Sequence, residues 1–384
     1  MMRDLFACEN IETLSVNGEL NGAQYYSWIS KIMKNIHSKI EFLDFDTKRI
    51  ATTADIREEY FEGRNYKRVV MFLLSNGCEW ALKSGNGCTV CGHLAKQTGS
   101  DISISADDYL CQFKSEFAKI DFQKTPILNL YNNGSFFNDN EIPAIARREM
   151  FNEIGRNPYI KMLVIETRPE FITEQSVDEL KQLIPDKHVE IAIGLEVYDD
   201  TLRKICINKG FSLKQYRKAA GIVTSKVGLR TYVMLKPPFL DERESIEQAV
   251  QTITYAFESG STTVSLEACT VQDYTLVKHL YDLNYFRPPW LWSIVEVIKR
   301  THHLGKLVVG LFQFYPSPQK VPYNCDKCSE RFIDALKNYN NTLDIRAFDG
   351  LSCECSREWE LDLSRESGEL EERVEMMLAS NLMD

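Results

Sequence analysis

The chain has 384 residues, 44% of them hydrophobic and 26% charged, with a formal charge of −10; that is the composition of a soluble globular protein of one large domain with extensions, or of two domains. No apolar run approaches the roughly 18 residues of a membrane helix, and the opening Met1-Met2-Arg3-Asp4-Leu5-Phe6-Ala7-Cys8-Glu9 lacks the basic region and apolar core of a secretory signal, so no membrane partner and a cytoplasmic location are expected. Residues 354–384 hold ten acidic residues against three basic ones; this acidity argues against a DNA partner, while the nearly neutral remainder leaves a smaller RNA contact open.

Residues 1–67 read as a helical extension, with Tyr25, Trp28, Ile29, Ile32, Met33 and Ile36 forming one apolar stripe at helical spacing. From Lys67 the pattern changes to short β-like runs (68–74, 126–131, 161–166, 188–195, 229–235, 262–266 and 306–311) separated by helical stretches such as 107–119, 141–154, 174–183, 213–225, 242–258 and 289–302. This alternation predicts an α/β fold with a parallel sheet and crossover helices. Several runs are apolar throughout, as in strands covered on both faces. Six or seven such units make a complete or partial (β/α) barrel, with active groups at the C-terminal strand ends. The expected organisation is a helical extension over 1–67, a (β/α)6-type partial TIM barrel over 68–315 and a C-terminal four-cysteine module with an acidic tail over 316–384.

Eleven cysteines in a chain without a signal point to metal binding or catalysis. Cys78, Cys88 and Cys91 follow the first predicted parallel strand, on a loop with Gly77, Gly85, Gly87 and Gly92. Three thiolates can hold three irons of a [4Fe–4S] cluster and leave the fourth open for chemistry. The competing reading is a zinc knuckle with His93 as fourth ligand. Strand ends carry Glu166, Arg168, Glu196, Lys236 and Glu267: a carboxylate ending an apolar strand must meet water, a partner or a ligand, and an arginine there can clamp a carboxylate. Structural salt bridges are the alternative for each, and Lys236 can serve a substrate anion or Glu196. Tyr285 and the Arg287–Trp292 run line a pocket or, more simply, start a helix. Cys325, Cys328, Cys353 and Cys355 form two close pairs suited to a four-thiolate site, either zinc or a second Fe–S cluster. Cys8, Cys111, Cys206 and Cys269 stand alone, and His302-His303 suits a helix terminus.

Several segments together resemble the radical S-adenosylmethionine superfamily. The nine-residue first gap of the cysteine motif is similar to the branch that contains the elongator catalytic subunit. Tyr131-Asn132-Asn133-Gly134-Ser135-Phe136, Glu166-Thr167-Arg168-Pro169-Glu170, Gly194-Leu195-Glu196, Asn208-Lys209-Gly210, Leu235-Lys236-Pro237-Pro238-Phe239 and Arg287-Pro288-Pro289-Trp290-Leu291-Trp292 resemble the radical enzyme of tRNA archaeosine formation and its bacterial relatives. The resemblance covers about residues 68–360. It implies a [4Fe–4S] cluster on Cys78, Cys88 and Cys91 that binds S-adenosylmethionine, its reductive cleavage to a 5′-deoxyadenosyl radical, and hydrogen abstraction from substrate, with flavodoxin or ferredoxin as reductant. It implies cofactor contacts at Val90, Asn133, Gly134, Ser135, Arg168 and Glu196, although the usual Gly-Gly-Glu type sequence is absent at 133–135. The implied substrate is a modified tRNA nucleoside undergoing carbon–nitrogen cleavage. A small molecule or peptide is the alternative substrate, and a non-catalytic metal-binding or redox-sensing protein is the alternative of another class.

Overall fold

The computed structural model describes residues 22–42, 46–48, 55–84, 87–99, 102–312 and 317–379. Cys8, Gly85, the side chain of Tyr25 and the opening stretch that lacks a signal pattern lie outside the described residues. Eight strands form one sheet in chain order: β1 (Asp55–Phe61), β2 (Arg64–Phe72), β3 (Ile127–Tyr131), β4 (Met162–Glu166), β5 (His188–Glu196), β6 (Gly228–Leu235), β7 (Thr263–Ala268) and β8 (Lys306–Val309). All neighbours from β2 to β8 are parallel. Each of the seven runs expected as a strand is one.

β1 is the addition to that expectation. It pairs antiparallel with β2, from Asp55 opposite Val70 to Phe61 opposite Arg64. A two-residue turn joins them, with φ of 49° at Glu62 and 79° at Gly63; positive φ at both positions is the hairpin geometry that matches strand twist. The segment before Lys67 is therefore partly β, with the helix Gly22–His37 before it.

Side chains alternate along the strands and sort the sheet into two faces. Val69, Met71, Leu73, Leu128, Leu130, Leu163, Ile165, Ile191 and Ile193 join the helices in the largest apolar core. Val70, Tyr131, Val164 and Ala192 belong to a separate inner cluster with Tyr232 and Phe72 alongside. Helix starts are set locally. Ser105, Thr173, Ser212 and Asp241 each accept the N3 backbone N–H and receive a side-chain acceptor in return, closing capping boxes.

Among the described residues β8 and β1 do not pair, so the barrel is open along one seam. The helix Ser329–Thr342 of the C-terminal segment packs against β1, β2 and β8 there. Its Asn340 accepts the Val309 N–H at 2.9 Å and donates to the Val309 carbonyl at 2.8 Å, copying the pairing of an absent neighbour strand.

Candidate functional site

A cavity of about 780 Å³ opens at the C-terminal strand ends and runs into the barrel. Alternation dictates its walls: Arg68, Val70 and Phe72 from β2, Asn129 and Tyr131 from β3, and Arg230, Tyr232 and Met234 from β6 all face it. The loop after β2 brings Cys78, Cys88, Val90, Cys91 and His93 to the same space.

The three loop thiols are half-buried. Burial pushes Cys78 and Cys91 up to about 12, with the charges of Glu141 and Cys88 adding to it at Cys78 and those of Cys88 and Cys78 at Cys91, and burial also raises Cys88. Such thiols stay protonated at neutral pH unless a cationic centre compensates the thiolate, as a bound metal does. Their sulfurs are not all within 4.8 Å of one another, and among the described residues no such set of three or more ligands includes His93. A single zinc ion needs a tight set; a wider triangle suits a cluster whose ligands sit on different irons.

Arg168 lies beside the thiols with its guanidinium between the rings of Trp80 and Phe211, each centroid at 5.4 Å. Nε donates to Glu170 at 2.6 Å and Nη1 to the Lys209 carbonyl at 2.9 Å, while Nη2 is buried without a partner. A buried, unpaired guanidinium N–H at a cavity wall fits an anionic ligand group, such as an amino-acid carboxylate.

Glu196 ends β5 with φ of 65° and pairs with Lys209 at 2.8 Å. Burial opposes the Lys209 ammonium, yet the Glu196 carboxylate and the Cys88 sulfur hold its pKa above the usual range. A Cβ on Gly194 would collide with Glu196 Oε1 and stand 2.7 Å from Lys209 Nζ, so only glycine leaves the pair its place. Gly134 is under the same constraint, since its Cβ would collide with Glu141 Oε2. Asn133 and Gly134 line the cavity, while Ser135 is fully buried and its hydroxyl accepts the Arg168 N–H at 3.3 Å.

Glu166 and Glu267 also face the cavity, and among the described residues neither is in an ion pair. Burial raises Glu166 to about 8, with Lys209 opposing. Burial raises Glu267 too, although Ser265 donates to it at 2.7 Å. Lys236 is placed elsewhere. It points to the helix Glu242–Glu258, where Glu242 accepts from it at 2.5 Å, and Glu242 in turn receives the Trp290 N–H at 2.9 Å. Arg287 is stacked between Trp290 and Tyr323, at 3.6 and 4.4 Å from the ring centroids, away from the cavity.

Tyr232 and Glu141 belong to the arrangement but stand in none of the quoted motifs, and Lys209 and Tyr131, which do, were given no role there. The Tyr131 and Tyr232 hydroxyls meet at 3.2 Å in mid-cavity, and Asn129 donates to Tyr131 at 2.8 Å. Inward alternation from the assigned strands would have found the tyrosines.

The second thiol group is compact. Cys325 lies 3.6 Å from Cys328 and from Cys353, and Cys328 lies 3.6 Å from Cys355, with all four sulfurs within 4.8 Å. A tetrahedral ion with metal–sulfur bonds of about 2.3 Å sets sulfur–sulfur edges of about 3.8 Å. Trp292 Nε1 donates to the Cys355 sulfur at 3.4 Å, and a donor behind a ligand in this way fixes its orientation. Cys111 is exposed; Cys206 and Cys269 are buried in the apolar cluster that Cys88 packs against, and Cys269 also lines the cavity.

No family model matches the chain. The archaeosine synthase subunit beta of Methanosarcina acetivorans is 30% identical over 299 residues, covering 77% of this chain and 85% of that protein. The protein of the same description from Thermococcus kodakarensis is 31% identical over 313 residues, covering 79% and 94%. A solved structure of an archaeal Elp3 from Methanocaldococcus infernus, lacking its N-terminus, aligns with a TM-score of 0.45 at 15% identity over 64% of this chain and 60% of that one. The class that fold and site define is a parallel partial barrel carrying three thiols on the loop that leaves its first parallel strand. Within that class the chain belongs to the archaeosine synthase subunit beta family.

Proposed function

We propose that the protein is a radical S-adenosylmethionine enzyme, with a [4Fe–4S] cluster on Cys78, Cys88 and Cys91. The observation that carries this reading is the convergence of three half-buried thiols and the unpaired Arg168 Nη2 on one cavity. When bound, cluster and S-adenosylmethionine supply one-electron cleavage to a 5′-deoxyadenosyl radical. The chain's own residues orient and shield. Arg168 receives the cofactor carboxylate, Asn133 and Gly134 approach its amino group through backbone and amide, and Glu196 accepts from ribose hydroxyls. Val90 packs near the adenine, and the inner apolar side chains of β2 to β6 keep water from the radical.

The substrate we propose, from the motif resemblance and from relatives described as archaeosine synthase subunits, is a lysine-bearing 7-deazaguanine nucleoside in tRNA, cleaved at a carbon–nitrogen bond. Glu166 and Glu267, cavity carboxyl groups outside any ion pair among the described residues, are suited to receive its ammonium group, which would favour their ionised form. The C-terminal thiols hold one zinc ion in this reading, because their edges match a tetrahedral site. Both metals require a reducing compartment, consistent with a cytoplasmic location and a flavodoxin or ferredoxin donor. In the described residues no helix is long and apolar enough to cross a membrane.

Anaerobic reconstitution with iron, sulfide, S-adenosylmethionine and reductant tests the reading by mass analysis. Wild type should produce 5′-deoxyadenosine, and addition of tRNA carrying the modified base should release the lysine carbons. Cys88→Ala should remain soluble and retain the C-terminal zinc, with deoxyadenosine production down at least about a thousandfold. Deoxyadenosine from Cys88→Ala at the wild-type rate would overturn the cluster assignment. Turnover stimulated by a free metabolite and not by tRNA would overturn the substrate.

A further inference from the structure

Behind the cavity wall lies a carboxylate that touches no cavity space, yet ties two of its walls together. Glu141 is 4% exposed. Its Oε1 accepts the Glu79 backbone N–H at 2.9 Å and Asn138 Nδ2 at 3.1 Å. Its Oε2 accepts the Ser135 backbone N–H and, at 3.1 Å, Asn132 Nδ2. Glu79 follows Cys78 directly, and Ser135 ends the Asn133-Gly134-Ser135 turn. One oxygen therefore holds the chain at the first thiol, and the other holds the turn beside the proposed cofactor.

All four partners are N–H donors, and a carboxylate is the side chain with acceptor capacity on both oxygens. A glutamine of the same shape would turn an NH2 toward two of the donors. A buried polar group confronted with like partners costs more than a missing bond. Gly134 is coupled to the arrangement, because a Cβ there would occupy the position of Glu141 Oε2.

We propose that Glu141 is a positioning residue that fixes the spacing between the cysteine loop and the 133–135 turn, and so sets the affinity for S-adenosylmethionine. The proposal rests on the functional reading above. A cofactor that spans cluster and turn touches both loops at once, so a small change in their spacing weakens binding while each loop keeps its own chemistry.

The test uses reconstituted full-length protein and three measurements: iron per chain, the spectrum of the reduced cluster on titration with S-adenosylmethionine, and KM and kcat for deoxyadenosine formation. Glu141→Gln should load iron as wild type does, raise KM for S-adenosylmethionine about tenfold or more, and change kcat far less. Asn138→Ala, which removes one of the four donors, should move KM in the same direction by a smaller factor. Iron-loaded Glu141→Gln with an unchanged KM would overturn the proposal. If Glu141→Gln does not load iron, an unchanged KM in Asn138→Ala overturns it instead. Wild type run in parallel separates the two claims: without deoxyadenosine from wild type the functional reading fails, whereas an active wild type beside an unshifted variant sinks only the role of Glu141.

Discussion

Glu166 shows how one residue's surroundings decide its chemistry. It ends β4 at the cavity, and burial raises its pKa from 4.5 to about 8, more than the nearby Lys209 ammonium lowers it. The native state therefore holds this proton more tightly than the unfolded chain does. Its contribution to stability is complete below pH 4.5 and is lost as the pH rises through about 8. Glu166→Gln keeps the shape and cannot ionise. Thermal melts of the two proteins should diverge in favour of the variant between pH 5 and pH 9, and a constant gap would show that Glu166 is already ionised at pH 5. The gathering of the cysteines with Glu166, Arg168 and Glu196 was legible in sequence because spacing alone carries it: two residues lie between Cys88 and Cys91, and the other three end or follow apolar runs, whereas Lys236 at another strand end turns away. The roles of Lys209, quoted only within a motif, and of Glu141 were not. Their roles depend on partners 13 residues away for the Lys209–Glu196 pair and 62 for the Glu141–Glu79 bond, which only the folded sheet brings within reach.

Among the elements, β1 departs furthest from its sequence. Asp-Ile-Arg-Glu-Glu-Tyr-Phe alternates poorly and is rich in charge, so strand propensity is low. The reason for the charge lies inside. Glu59, 6% exposed, accepts from Arg68 at 3.0 Å, Arg230 at 2.9 Å and Lys306 at 2.8 Å, binding β1 to β2, β6 and β8. Burial alone would raise its pKa, but Arg230, Arg68 and Lys306 outweigh it and bring it to about 2. The parallel strands were readable because apolar runs need no such partners. Removing the charge by Glu59→Gln takes the carboxylate partner from Arg68 and Lys306, while Arg230 keeps Glu190 at 2.7 Å, and should cost about 2–3 kcal/mol at neutral pH. The carboxylate's contribution is present above pH 4.5 and is lost as pH falls toward about 2. Urea midpoints of wild type and variant should therefore converge from pH 6 to pH 3. A gap as wide at pH 3 as at pH 6 would mean that the network is held by packing and not by the charge.

Across the whole molecule, the two thiol groups are joined through the seam of the barrel. Cys328 is the N-cap of the helix Ser329–Thr342, and Cys325, Cys353 and Cys355 anchor the chain on either side of it. The far end of this helix closes the opening between β8 and β1: Asn340 holds Val309, Asn341 donates to Glu58 at 2.8 Å, and Asn340 lines the cavity itself. A metal at the four thiols would thus brace a wall of the cavity without touching its contents. The paired cysteines suggested a metal site in the sequence, but nothing in their spacing reveals what the intervening helix supports, because the seam exists only once eight strands have curved. On the zinc and cluster assignments proposed above, Cys353→Ser should lower the zinc content by one ion per chain while the iron on the barrel loop is retained. If the helix is the brace, amide exchange at Val309 and along β1 should accelerate by roughly tenfold or more, with β3 to β5 unchanged, since an edge opens according to what holds it locally and not according to the global stability. Unaltered exchange at Val309 after zinc loss would show that the helix holds the seam through Phe332, Leu336 and Tyr339 packing in the apolar core, independently of the ion. Faster exchange at that one edge, with iron content intact, would establish that a structural metal on the C-terminal segment governs the closure of the reaction chamber.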